Sequence, residues 1–183
     1  MSLKNETDKN FPRASAPASA TDIKLFFKAV EKEDAIAVNA YLALYPGLLE
    51  CRENDTRSTP IIIAARAGNL EAVQLLHKKG ADINAVDPAD MDALMNACAK
   101  GEMPVAHYLV ETAGMDAGRM NKMGMTPASC AYGQEFYALE SRMKRYVVEQ
   151  REARAAAFEA ELGSMEQGTQ RTLTVSKPIT YRR

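Results

Sequence analysis

The sequence predicts an all-α fold: a short solenoid of helix pairs joined by hairpin-like loops and closed by a long C-terminal helix. Three observations predict it. The segment that begins at Ser58 returns at intervals of 33 and 34 residues, and self-similarity at such a period is the mark of stacked supersecondary units. Each unit opens on Thr-Pro or a stand-in for it and ends its first short helix on Gly, a helix start and a helix stop respectively. From Glu135 to Leu162 there is neither Gly nor Pro and good helix formers dominate, so one long helix is expected there.

Composition agrees with a folded middle section and narrows the function classes. Of 183 residues, 46% are apolar, enough to bury a core. A net charge of −1 offers no electrostatic footing for nucleic acid or an anionic membrane. Apolar stretches fall short of a membrane span, and the N-terminus has no apolar secretory region. Cys51, Cys98 and Cys130 are odd in number and far apart. They read as unpaired thiols in a reducing compartment. The expected location is therefore the cytoplasm, with secretion by a signal-peptide-independent route as the alternative.

The elements follow in chain order. Residues 1–20 are polar and end in a run of Pro, Ala and Ser, a composition that predicts a flexible lead. Ala29-Val30, Ala37-Val38, Leu42 and Tyr45-Pro46-Gly47-Leu48-Leu49 form a weak opening unit with Asp34 at its inter-helix turn. In the next unit Thr59 is expected to cap through its hydroxyl, with Pro60 at the first helical position. Ala64 and Ala65 let neighbouring helices approach, and Gly68 supplies the left-handed stop. Leu70 to Leu76 gives a second amphipathic helix, stopped at Lys78-Lys79-Gly80, and Ala81-Asp82-Ile83-Asn84-Ala85 leads into a loop through Asp87-Pro88.

The recurrences fix the register. Ala64 meets Ala97, Gly68 meets Gly101 and Leu76 meets Leu109, while Thr59-Pro60 returns as Thr126-Pro127 after one inserted residue. The whole constellation, Thr59-Pro60, Ala64-Ala65, Gly68, Leu75-Leu76, Gly80-Ala81-Asp82-Ile83-Asn84-Ala85 and Asp87, resembles one full ankyrin repeat. Met91 to Asn121 resembles a second, with Asp92-Ala93-Leu94 for Thr-Pro-Leu, and Thr126 opens a last one. Where the family has a His after Thr-Pro-Leu, this chain has Ile62, Met95 and Ser129. Four units over about 22 to 145 meet the minimum for a stable stack, with Glu140 and Arg142 giving the last unit the polar outer face of a cap. The boundaries expected are a lead over 1–20, an ankyrin-repeat domain over 21–145, a helical extension over 146–162 and a flexible basic tail over 163–183.

No motif carries chemistry. His77 and His107 read as surface histidines on successive second helices. Met95 and Met103 read as core fillers, and Cys98 and Cys130 as packing thiols. No zinc, nucleophile or phosphate-cradle spacing occurs. The expectation is a protein that is not an enzyme and that uses no cofactor or metal.

The resemblance implies that partners bind at the hairpin tips and along the inner helices of the concave face. Transferred to this chain, the candidate partner-binding residues are Arg57, Arg66, Pro88, Met91, Lys100, Lys122, Met123 and Met125. Seven of the ten methionines fall between Met91 and Met125. Exposed Met adapts to an apolar partner surface at little cost. A Met-lined ridge flanked by Arg57, Arg66, Lys100 and Lys122 therefore predicts another protein with apolar anchors and an acidic rim, acted on by an adaptor or inhibitor. Two other readings stand beside it: a secreted bacterial effector that binds a host protein, and a structural or regulatory subunit that self-associates through the C-terminal helix.

Overall fold

The computed structural model describes residues 17–173. It consists of four helix pairs, α1 (Ala20–Glu31) with α2 (Ala35–Leu44), α3 (Pro60–Ala67) with α4 (Leu70–Lys78), α5 (Ala93–Lys100) with α6 (Met103–Glu111), and α7 (Pro127–Tyr132) with α8 (Tyr137–Leu173). A short 3-10 turn, Pro46–Glu50, follows α2. No strand occurs among the described residues. The first helices of the pairs pack in series, α1 on α3, α3 on α5 and α5 on α7, and the second helices form an outer row in which α2 meets α4 and α4 meets α6. The all-α solenoid expected from the repeat is the fold observed.

Each start and stop has a local cause. Ser19 and Asp22 cap α1 reciprocally, with the Asp22 N–H donating to Ser19 Oγ at 3.2 Å and the Ser19 N–H to Asp22 Oδ2 at 2.9 Å. The helix begins at Ala20, inside the lead expected over 1–20, and residues 1–16 lie outside the described residues. Asp34 caps α2 and Asn69 caps α4, each accepting an N–H at 2.9 Å. The expected hydroxyl cap forms at Thr126, which exchanges bonds with Ser129, but not at Thr59. That hydroxyl is buried without a partner, and Pro60 alone sets the start of α3. Gly101 is left-handed at φ 79°, and a Cβ there would lie 2.9 Å from the Phe136 ring.

Burial follows position in the stack. Ile61 to Ala65 are all buried because α3 has neighbours on both sides and α4 behind it. α5 repeats this with Ala93 to Cys98. Met103 departs from the expectation of a core filler. It is the first residue of α6 and lies open at 36% exposure, in a groove it shares with Phe136 and Leu139.

The two histidines do more than cover surface. His77 Nδ1 lies 2.8 Å from Tyr108 Oη and His107 Nδ1 lies 2.7 Å from Tyr146 Oη. They tie α4 to α6 and α6 to α8, a rung repeated along the outer row. At the second rung Glu111 also accepts from Tyr146 Oη and from Arg142, the latter at 3.0 Å, and the Arg142 guanidinium lies 4.3 Å from the centre of the Tyr146 ring.

α8 runs for 37 residues, about 55 Å at 1.5 Å per residue. Leu139, Met143 and Tyr146 bury one face on the stack. Gln150 continues the attachment, donating to the Met115 carbonyl at 2.8 Å and accepting the Ala117 N–H at 3.1 Å, and Arg154 adds an ion pair to Asp116 at 3.4 Å. Every residue from Arg151 to Leu162 is exposed. The helix runs on past the boundary expected at 162, to Leu173, and residues 174–183 of the expected tail lie outside the described residues.

Candidate functional site

Three equivalent turns form the tips between pairs. Their left-handed residues are Arg57 (φ 53°), Asp90 (φ 59°) and Gly124 (φ 76°). Each turn closes on itself: the Glu53 N–H donates to the Ser58 carbonyl, the Asp87 N–H to Met91 and the Asn121 N–H to Met125, all at 3.0 Å. The Asp87 carboxylate also accepts the Ala89 and Met91 N–H groups, and the Asn121 amide oxygen accepts those of Met123 and Met125. An Asx side chain that satisfies its own turn in this way fixes the loop without help from a partner.

The tips are also fastened to one another. Asp90 accepts the Lys122 N–H at 2.8 Å and a guanidinium N–H of Arg119 at 3.3 Å. Arg119 reaches further to the Asp90 carbonyl at 3.2 Å and to Asp92 at 3.3 Å. From the other side Arg52 donates to the Arg57 carbonyl at 2.8 Å and the Val86 carbonyl at 3.0 Å. Arg52 and Arg119 each stand five residues before a left-handed tip residue, and both fasten onto the central loop. This pair of clamps was missed from sequence. Their only signal was an Arg recurring at one register position, with partners in a different repeat.

The predicted residues divide into two groups on this ledge. Arg57, Pro88, Lys100, Lys122 and Met123 are exposed and Arg66 is half-buried. None of Arg57, Arg66, Lys100 and Lys122 has an ion-pair partner among the described residues. Arg66 and Lys100 sit in the last turns of α3 and α5, where a cation is favoured by the helix dipole whether or not a partner binds. Met91 and Met125, expected as free tip side chains, are half-buried and pack on the core. The open methionines are Met123 and Met120, each 65% exposed.

Burial sets the titration of the cysteines and of Asp92. Burial pushes the Cys51 thiol up to about 11 and raises those of Cys98 and Cys130 as well, the opposite of an activated thiolate. Burial also raises the Asp92 carboxyl, against the lowering effect of the Met95 N–H and Arg119, and that group is fully used as a cap and clamp. No group of three or more metal-ligating side chains occurs among the described residues. No helix there is long and apolar enough to cross a membrane.

Comparison with known proteins follows the same geometry. Residues 61–139 match the family model described as ankyrin repeats (3 copies). The chain is similar to a Caenorhabditis elegans protein bearing the name glutaminase 2, at 31% identity over 51% of this chain and 15% of that protein. It is similar to a protein of Oryza sativa subsp. japonica named as an E3 ubiquitin-protein ligase, XBOS33, at 34% over 45% and 16%. It is also similar to human protein phosphatase 1 regulatory subunit 27, at 42% over 36% and 42%. The chain spans less than half the length of each.

Proposed function

Because the chain is an ankyrin-repeat protein across residues 61–139, we propose that it binds another protein through the concave face and hairpin tips of the stack, as an adaptor or inhibitor. The observation that carries this reading is the fastened ledge. Three self-satisfied turns are clamped together by Arg52 and Arg119, so a partner meets a surface that needs little ordering. Along it Arg57, Arg66, Lys100 and Lys122 have no carboxylate partner among the described residues, and Met120 and Met123 stand open. Cations around exposed Met suit a partner with apolar anchors inside an acidic rim. The likeness to a phosphatase regulatory subunit supports a regulatory interaction in general terms. The enzyme-named relatives share only a small part of their length with this chain.

Affinity capture from the native cell lysate tests the reading, comparing wild type with Arg66→Glu/Lys100→Glu and with Met120→Ser/Met123→Ser. The expected outcome is a partner retained by wild type and lost by both variants, with thermal unfolding unchanged. A partner held equally by all three would move binding off this ledge.

A further inference from the structure

Side-chain braces cross the later valleys of the outer row. Tyr108 on α6 reaches back to His77 on α4, and Arg142 on α8 reaches back to Glu111 on α6. Tyr108 and Arg142 hold one register position, 34 residues apart. The same position on α4, 33 residues before Tyr108, is Leu75. Its side chain has no polar group with which to bridge to α2. Between α2 and α4 lies an open groove of about 670 Å³, lined by Ala35, Ile36, Asn39, Leu75, Lys78 and Lys79.

The two walls of this groove differ in kind. From Ala35 to Leu44, α2 carries no charged side chain, whereas α4 presents Glu71 and Lys78 and α6 presents Glu111. Ile36 stands 82% exposed, more than any other large apolar side chain described. A helix that is apolar all round is ordinarily one that other protein covers. The α4 wall supplies Lys78 and Lys79, and neither has an ion-pair partner among the described residues. No carboxylate lines the groove. The dipole of α4 favours cations at its C-terminal end, but it does not account for the uncharged face opposite.

We propose that the α2–α4 groove is a second docking surface, on the outer row, for an acidic amphipathic helix of a partner protein. Shape selects a helix, because a groove between two helices accepts the side-chain ridge of a third. Apolar side chains of the partner cover Ile36 and Leu75, and carboxylates on its flank meet Lys78 and Lys79. The surface shares no residue with the ledge and stands or falls separately from it.

The probe is a helix-forming peptide of about four turns with Leu every three to four residues and Glu on either side. Its control has Lys in place of every Glu. Each is titrated into the isotope-labelled full chain up to about 1 mM, which reaches weak contacts, while amide shifts are followed. The acidic peptide should move Ile36, Asn39, Leu75, Lys78 and Lys79 to saturation, and the basic one should not. Ile36→Ser should weaken the acidic peptide about tenfold and keep the thermal unfolding of wild type, because the side chain is exposed. Lys78→Glu/Lys79→Glu should exchange the preference, losing the acidic peptide and taking up the basic one. Misfolding could not produce that gain. Arg66→Glu/Lys100→Glu should leave the groove shifts as they are. Shifts that never appear, that map to the ledge, or that ignore both groove variants overturn the proposal. So does a dimer in sedimentation that Ile36→Ser dissolves, since the occupant would then be a second copy.

Discussion

Asp92 and Arg119 carry more of the ledge than their positions suggest. The Asp92 carboxylate is 1% exposed, caps α5 through the Met95 N–H at 2.8 Å, and meets Arg119 at 3.3 Å. Replacing Arg119 with Met keeps most of the apolar stem and leaves a buried carboxylate with one partner fewer. The expected cost is about 1–3 kcal/mol at neutral pH, read by urea unfolding. The sign with pH follows from Asp92 being raised in the folded state, so that its charged form is what folding disfavours. Acid relieves that burden: the penalty of the substitution should shrink as pH falls through the raised folded values and be gone below the ordinary aspartate value of 3.8. A penalty constant down to acid would remove the carboxylate from the explanation. Asp92 was legible in the sequence as the stand-in for Thr-Pro-Leu. Its guanidinium partner was not, because Arg119 lies 27 residues away and no local pattern links them. Thr59 shows the opposite error, a motif residue whose hydroxyl finds no bond because Pro60 already supplies the helix start.

Among the elements α8 is the one whose fate depends on a small polar cluster. Glu111 holds it through Tyr146 and Arg142, and those bonds, the tyrosine's foremost, keep the Glu111 carboxyl below its ordinary value of 4.5. A depressed carboxyl contributes stability above its unfolded value and loses it as pH falls through the folded one. The difference in Tm between wild type and Glu111→Gln is therefore expected to be largest near neutrality. It should close as pH drops from about 5 to about 3. A difference that stayed constant across that window would mean the pair adds only packing. The existence of α8 was readable from the absence of Gly and Pro over 135–162. Its end was not. Gly163 and Gly168 look like stops, but a glycine inside a helix costs only about 1 kcal/mol, and here the backbone runs through both to Leu173. The outer rungs were also out of reach, since His77 and His107 find their tyrosines 31 and 39 residues away.

At the scale of the whole molecule, each repeat touches only its neighbours, so stability is close to a sum of units and interfaces and opening starts at the ends. The period, the caps and the glycine stops made this architecture plain in the sequence. Which methionines the stack consumes depended on packing, and Met91 and Met125 were claimed by the core while Met120 and Met123 were left outside. The three thiols are spread along this series. Cys51 is half-buried after the first pair, Cys98 is buried inside α5 of the third, and Cys130 is buried in α7 of the last. Alkylation under native conditions should reach Cys51 first, Cys130 later and Cys98 last, at a rate approaching that of global unfolding. Equal rates at all three would show that the stack opens as one unit. The same spacing turns the cysteines into a record of a molecule's history. Under oxidative stress an intact copy would be marked at Cys51 alone, whereas a mark on Cys98 would identify a copy that had already unzipped.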